Sequence, residues 1–220
     1  MSWMTTVDLR NLPKSVSPKF RSLLKDKSRY LVLYGGAGSG KSFFAAQKLI
    51  VRLLSNKKQK FLVVRKVGKT IRNSVYARIK AQIAAWGLQG IIREEKSTLS
   101  FVNTLNGNEI ITSGIDDPEK IKSIDGITGV WIEEASELTP DDFDQLDLRV
   151  RGIRHTYVQF ILTFNPIIET HWLKKRFFDQ IDNDAQVVHS TYLDNPFLDE
   201  GYRRKMEKMK ERNPHYYEVY

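Results

Sequence analysis

The chain has 220 residues, 41% hydrophobic and 28% charged, enough for one compact domain with a sizeable core. It has no cysteine, which excludes disulfides and thiolate metal sites, and His155, His171, His189 and His215 lack the close spacing of a zinc-binding helix. The formal net charge of +9, from 35 Lys and Arg against 26 Asp and Glu, favours a polyanionic partner without proving one, and the absence of an apolar run of about 18 residues or a secretory leader points to a cytoplasmic, non-membrane protein.

Residues 1–28 carry Pro13, Pro18 and a basic cluster, and read as an N-terminal arm with one short helix. A β-branched and aromatic run at 29–34 predicts the first strand, and the spacing of apolar residues at 43–54 predicts a helix. Between them lies Gly35-Gly36-Ala37-Gly38-Ser39-Gly40-Lys41-Ser42. A strand is predicted at 60–65, then a helix whose apolar positions Ile71, Val75, Ile79, Ile83 and Trp86 recur at helical spacing until Gly87 stops it. From 97 to 113 the period changes to two around Asn106-Gly107, which predicts an antiparallel hairpin.

The short run 129–132 is flanked by glycine and predicts a buried strand ending on Glu133 and Glu134. Thr139 then reads as an N-cap, Pro140 as the first helical residue and Asp141 and Asp142 as first-turn acids, for a helix to about Arg151. A strand at 157–164 ends on Asn165-Pro166, a short helix covers 171–178, and a strand covers 186–192. The remaining stretch, with six basic residues between Gly201 and Arg212, predicts an amphipathic helix. Repeated strand and helix alternation implies an α/β fold, a mainly parallel sheet flanked by helices with the hairpin as an add-on. The expected organisation is an arm at 1–28, a core at 29–200 and a C-terminal helical segment at 201–220.

The octapeptide between a strand and a helix predicts a phosphate-binding loop. Its glycines let the backbone N–H groups curl around a polyphosphate, Lys41 reaches the β/γ oxygens, and the Ser42 hydroxyl can ligate Mg²⁺. Hydrolysis needs carboxylates as well. Glu133 and Glu134 end a buried strand about ninety residues beyond Lys41, which suits a metal role for Glu133 and a water-activating role for Glu134. Taken alone, the pair is also compatible with solvated acids at a strand end. Thr163 and Asn165 stand where a γ-phosphate could be sensed, although Asn-Pro also starts turns for local reasons. Arg149, Arg151 and Arg154 are candidates for a charge-stabilising guanidinium, although each taken singly reads first as a surface arginine.

YGGAGSGKS, GIDDPEKIKSIDGITGVWIEEASELT, DLRVRG, ILTFNP and TYLDNPFL, in that order over residues 30–198, resemble the ATPase part of a tailed-phage terminase large subunit of the PBSX-related type. The resemblance implies a P-loop NTPase fold of the additional-strand, conserved-glutamate class, ATP with Mg²⁺ as fuel, and double-stranded DNA as the translocated substrate. It further implies a homo-oligomeric ring, a portal protein and a small terminase subunit as partners, and the host cell cytoplasm as location. In that family the metal-binding acid matches Glu133, the catalytic glutamate Glu134, and the coupling motif Thr163 to Asn165. Many packaging ATPases carry aspartate where this chain has Glu133, and some carry an arginine inside the phosphate loop, which this chain lacks. A finger from a neighbouring subunit is therefore expected. Nothing after Tyr192 matches the acidic nuclease domain of family members, so the chain reads as a fragment without DNA cleavage. Another P-loop DNA-dependent ATPase, such as a helicase or recombination translocase, is the alternative, and a nucleotide switch with poor hydrolysis a third class.

Overall fold

A computed structural model describes residues 12–213, apart from 118, 120, 122 and 151–155. Arg151, Arg154, His155 and His215 lie outside the described residues.

Apolar runs that bury both faces require layers on both sides, which is the condition for parallel strands. The runs β1 (Tyr30–Gly35), β2 (Lys60–Arg65), β6 (Gly129–Glu133) and β7 (Gln159–Phe164) are of this kind, with β6 and β7 buried along their whole length. Together with β3 (Ile92–Glu95), β4 (Ser100–Asn103), β5 (Glu109–Gly114) and β8 (Ala185–Ser190) they form one sheet of order β3-β4-β5-β2-β6-β7-β1-β8. From β5 to β8 the neighbours are parallel, while β3, β4 and β5 pair antiparallel. The expected hairpin is thus present as β4 and β5. Its companion β3 was not expected, because Ile-Arg-Glu-Glu shows no apolar alternation. β7 is inserted between β1 and β6, the arrangement of an additional-strand P-loop NTPase.

One face of the sheet is covered by α1 (Lys41–Leu53) and α2 (Ala77–Ala85), with Phe44, Leu49 and Ile79 packed against Leu31, Leu33, Trp131 and Ile161. The N-terminal stretch joins this layer as three short 3-10 turns, Leu12–Ser15, Pro18–Phe20 and Ser22–Leu24, and Phe20 stacks on Phe44 with ring centres 5.0 Å apart. The buried Lys48 ammonium fastens it by donating to the carbonyls of Leu23 and Asp26. The helix expected through residues 71–86 begins with a π-helical turn, Arg72–Tyr76, which widens its start before α2.

The opposite face is covered by α3 (Pro140–Arg149) and α4 (Trp172–Phe177), whose Phe143, Leu146, Leu173 and Phe177 pack on Val32, Val130, Ile132 and Leu162. The start of α3 is set locally: the Thr139 side chain accepts from the Asp142 N–H, the Asp142 carboxylate accepts from the Thr139 N–H, and Pro140 is the first helical residue. A last helix, α5 (Glu200–Arg212), is capped by Asp199 and buries Met206. In this topology the loops leaving β1, β6 and β7 gather at one edge of the sheet, where ligands of open parallel sheets bind.

Candidate active site at the ends of three strands

β1 enters a loop that only glycine can form. Gly35 has φ of +147°, and a Cβ there would lie 1.7 Å from the Ser190 carbonyl oxygen of β8. Gly38 has φ of +80°, and a Cβ there would meet the Tyr202 ring at 2.9 Å. Gly40 is the N-cap of α1 and supplies no side-chain acceptor, and the first turn holds no acid. The leading N–H groups of this 13-residue helix, with the positive end of its dipole, are therefore left for an anion. Ser42 sits in that first turn. Lys41 is buried at 8% exposure, and its ammonium donates to the Gly36 carbonyl and to Asn165 Oδ1, each at 3.0 Å. Burial pulls the Lys41 pKa down to about 8, against the opposing pull of Glu133.

The two glutamates are consecutive but diverge. Glu133 ends β6 directly beside Thr163 of β7 and is 8% exposed. The Thr163 hydroxyl donates to its Oε2 and accepts from Trp131 Nε1 at 2.9 Å, so a buried chain of hydrogen bonds fixes the carboxylate. Glu134 adopts a left-handed backbone, φ +54° and ψ +50°, which costs about 1 kcal/mol or more for a residue with a Cβ and marks a constrained position. That turn points its side chain toward solvent, where it is 46% exposed and ion-paired with Arg65 from the end of β2. Arg65 also lies 3.8 Å from Glu137, whose pKa is raised by burial and by the neighbouring Glu134.

Replacing Thr163 with valine keeps the shape and removes the hydroxyl, leaving the Trp131 N–H and one Glu133 oxygen without a partner. Stability is expected to fall by about 1–3 kcal/mol in a denaturant titration. A variant as stable as the parent would show that the buried chain does not hold Glu133.

The structure thus brings Lys41, Ser42, Glu133, Thr163 and Asn165 to one edge, with Glu134 at its rim. Arg149 stands elsewhere. It is in the last turn of α3, two residues after Asp147, which bonds Arg29 at 2.6 Å and the Tyr30 hydroxyl at 2.8 Å. The Arg149 side chain itself lines a small pocket with Ile115, Ile121 and Asp142, on the side of α3 toward β5 and away from the loop after β1. Three neighbours of the site were not anticipated. Arg65 holds Glu134; Arg78, on α2, lies over the Phe43 ring at 4.8 Å with a buried Nε that has no partner, and its charge lowers the Lys41 pKa. Asn195 donates to the Gly38 carbonyl at 2.8 Å, and its own carbonyl accepts from Arg203 of α5. Isolated arginines and an Asn-Pro turn carry no local sign of such roles.

A family model described as phage terminase large subunit matches residues 27–220. The chain is 31% identical to the PBSX phage terminase large subunit of Bacillus subtilis (strain 168), an alignment covering 94% of this chain and 52% of that protein. It spans about half the length of the curated relatives it matches. Its fold is similar to that of a large terminase from a thermophilic bacteriophage, at a TM-score of 0.75 and 17% identity, covering 95% of this chain and 52% of that one. The same thermophilic-phage protein has also been solved in complex with ADP and with ATP-gamma-S. The Thermus phage P74-26 large terminase ATPase domain matches at a TM-score of 0.70 and 12% identity, over 97% of this chain and 98% of that domain. With the family model spanning most of its length and the glycine-rich loop and paired acids set on the fold of these proteins, the chain belongs to the phage terminase large subunit family.

Proposed function

We propose that this chain is the ATP-hydrolysing motor domain of a terminase large subunit, which drives double-stranded DNA into a procapsid as part of a ring in the host cytoplasm. The observation that carries the reading is the convergence of Lys41, Glu133, Thr163 and Asn165 beside an uncapped helix N-terminus. The ADP and ATP-gamma-S complexes of the structurally similar large terminase support ATP as the ligand, and family membership favours packaging over the helicase alternative. A portal protein and a small subunit would complete the assembly. Among the described residues no helix is long and apolar enough to cross a membrane.

In this reading the loop amides and Lys41 hold the β/γ-phosphate oxygens. Ser42 and Glu133 offer a hydroxyl and a carboxylate, a hard two-oxygen set that fits Mg²⁺, which binds proteins through few groups and completes its shell with phosphate and water. When bound, the metal neutralises charge on the phosphates. Glu134 accepts the proton of the attacking water, for which its pair with Arg65 must open. Lys41 now donates to Asn165, so drawing its ammonium onto a phosphate frees the Asn165 carboxamide at the tip of β7. Occupancy is thereby reported along the strand.

The test is ATP turnover by the full chain with and without duplex DNA. Stimulation should be indifferent to sequence and should fade as salt rises, because phosphate contacts release counterions. Absence of turnover under both conditions, in a preparation that binds ATP, would reject the motor reading.

Arg78 adds a guanidinium in cis. Arg78→Ala is expected to lower turnover by about 10- to 100-fold, the loss of a charge-assisted contact. Arg149, Arg151 and Arg154 remain candidates for a finger in trans, Arg149 lining a small pocket with Ile115, Ile121 and Asp142 rather than the loop of its own chain. Mixing separates the two cases. Lys41→Ala subunits should rescue a variant lacking a trans-acting arginine, and should not rescue Arg78→Ala. Rescue of Arg78→Ala would move that guanidinium to the neighbouring site.

A further inference from the structure

Beside the phosphate loop lies a cavity of about 410 Å³, contiguous with it through Gly40 and Phe43 and walled further by Gln82, Trp86, Phe197 and Leu198. Its lining is chiefly aromatic and aliphatic, the character of a site for a planar ring. Most polar groups in the wall are already engaged. Gln47 donates to the Ser15 carbonyl at 3.0 Å, Trp86 Nε1 to the Ser15 hydroxyl at 3.0 Å, Ser17 to the Asp194 carbonyl at 2.7 Å, and Asn195 to Gly38.

Gln82 is different. It is only 7% exposed and lines the cavity, yet its carboxamide makes no hydrogen bond among the described residues. Its polar atoms are reachable from the cavity rather than sealed in the core, so its donor and its acceptor are open to a ligand there. Gln82 stands one helical turn beyond Arg78 on α2, so both side chains leave the same side of the helix, toward the start of α1. A triphosphate seated in the loop, next to Phe43, would leave its base to enter this cavity.

We infer that Gln82 is the base-reading residue of this nucleotide site, its carbonyl accepting from the exocyclic amine of adenine while its amide donates to an adjacent ring nitrogen. Glutamine pairs with adenine through two such bonds wherever it reads that base edge. The phosphates are gripped by the loop and the ring by apolar contact, so the paired hydrogen bonds of Gln82 supply the discrimination among bases. The inference rests on the ATP reading above and names the part of the site that selects the fuel.

The test uses the full chain and three probes with Mg²⁺: ATP, the purine riboside triphosphate that lacks the 6-amino group, and inorganic tripolyphosphate. Binding is followed by calorimetry and by Trp86 fluorescence, with Trp86→Phe as the control for the signal. The parent should bind ATP about tenfold or more tighter than the analogue, because a site built around that amine is left unpaired by its loss. Gln82→Leu and the longer Gln82→Met should both lose that preference while binding tripolyphosphate as the parent does, which shows the loop intact and the chain folded. Equal affinity of the parent for ATP and the analogue would overturn the inference, as would a preference that survives in both variants; ATP binding that still depends on Lys41 would in either case leave the ATPase reading standing. If the parent bound neither ATP nor tripolyphosphate, the ATPase reading itself would fall, and this one with it.

Discussion

Glu134→Gln should bind ATP as the parent does and hydrolyse it at least about a hundredfold more slowly, the lower range for removal of a general base. The exchange keeps the side chain's size and its capacity to accept a hydrogen bond from Arg65, so the rim of the site stays in place. What it removes is basicity. Because Glu134 projects outward on a left-handed turn while Glu133 is locked inward by Thr163, the two carboxylates cannot substitute for each other. Glu133→Gln should therefore leave a different signature, a raised Mg²⁺ requirement with the base still present. Phosphate release measured at saturating nucleotide, beside a binding titration, separates these outcomes. Turnover at the parent rate in Glu134→Gln would transfer the water-activating role to another residue.

Lys41→Ala should weaken ATP binding by about a hundredfold or more and abolish measurable turnover. The ammonium is the one cation inside the loop, and a hydrogen bond from a charged donor contributes about 1.5–3 kcal/mol, more than one such bond being made to the phosphates. The same ammonium bonds the Gly36 carbonyl and Asn165 Oδ1. Its removal also unpairs these acceptors, so Lys41→Met, which retains the packing of the buried stem, is the better control for folding. Binding is read by calorimetry and stability by thermal melting. A Lys41→Met chain that melts with the parent and still binds and hydrolyses ATP normally would remove the loop from the mechanism.

How far the site could be read in advance depended on how local its physics is. The loop was legible because eight consecutive residues hold nearly everything it needs: glycines at the positive-φ positions, the lysine, the hydroxyl, and the helix whose N-terminus they open. The start of α3 was legible for the same reason, since Thr139, Pro140 and Asp142 satisfy one another within four residues. The acids at the end of β6 could be singled out because an apolar run that stops on two glutamates is a pattern in one dimension.

Arg65, Arg78, Asn195 and Gln82 carried no such pattern. Each acquires its role from strand order and helix placement: Arg65 because β2 lies next to β6, Arg78 and Gln82 because α2 packs beside the start of α1, and Asn195 because the chain returns after β8 to the Gly38 carbonyl. The position of Arg149 likewise follows only from the direction in which α3 runs back along the sheet. The amino-acid sequence by itself determined the glycine-rich turn from strand to helix, the paired acids at a strand end and the alternation of strands and helices, since these rest on backbone geometry and periodicity among near neighbours. Which polar side chains stand around them was decided by the tertiary structure, because a guanidinium or a carboxamide looks the same in sequence whether it faces water or a buried partner brought in from a distant part of the chain.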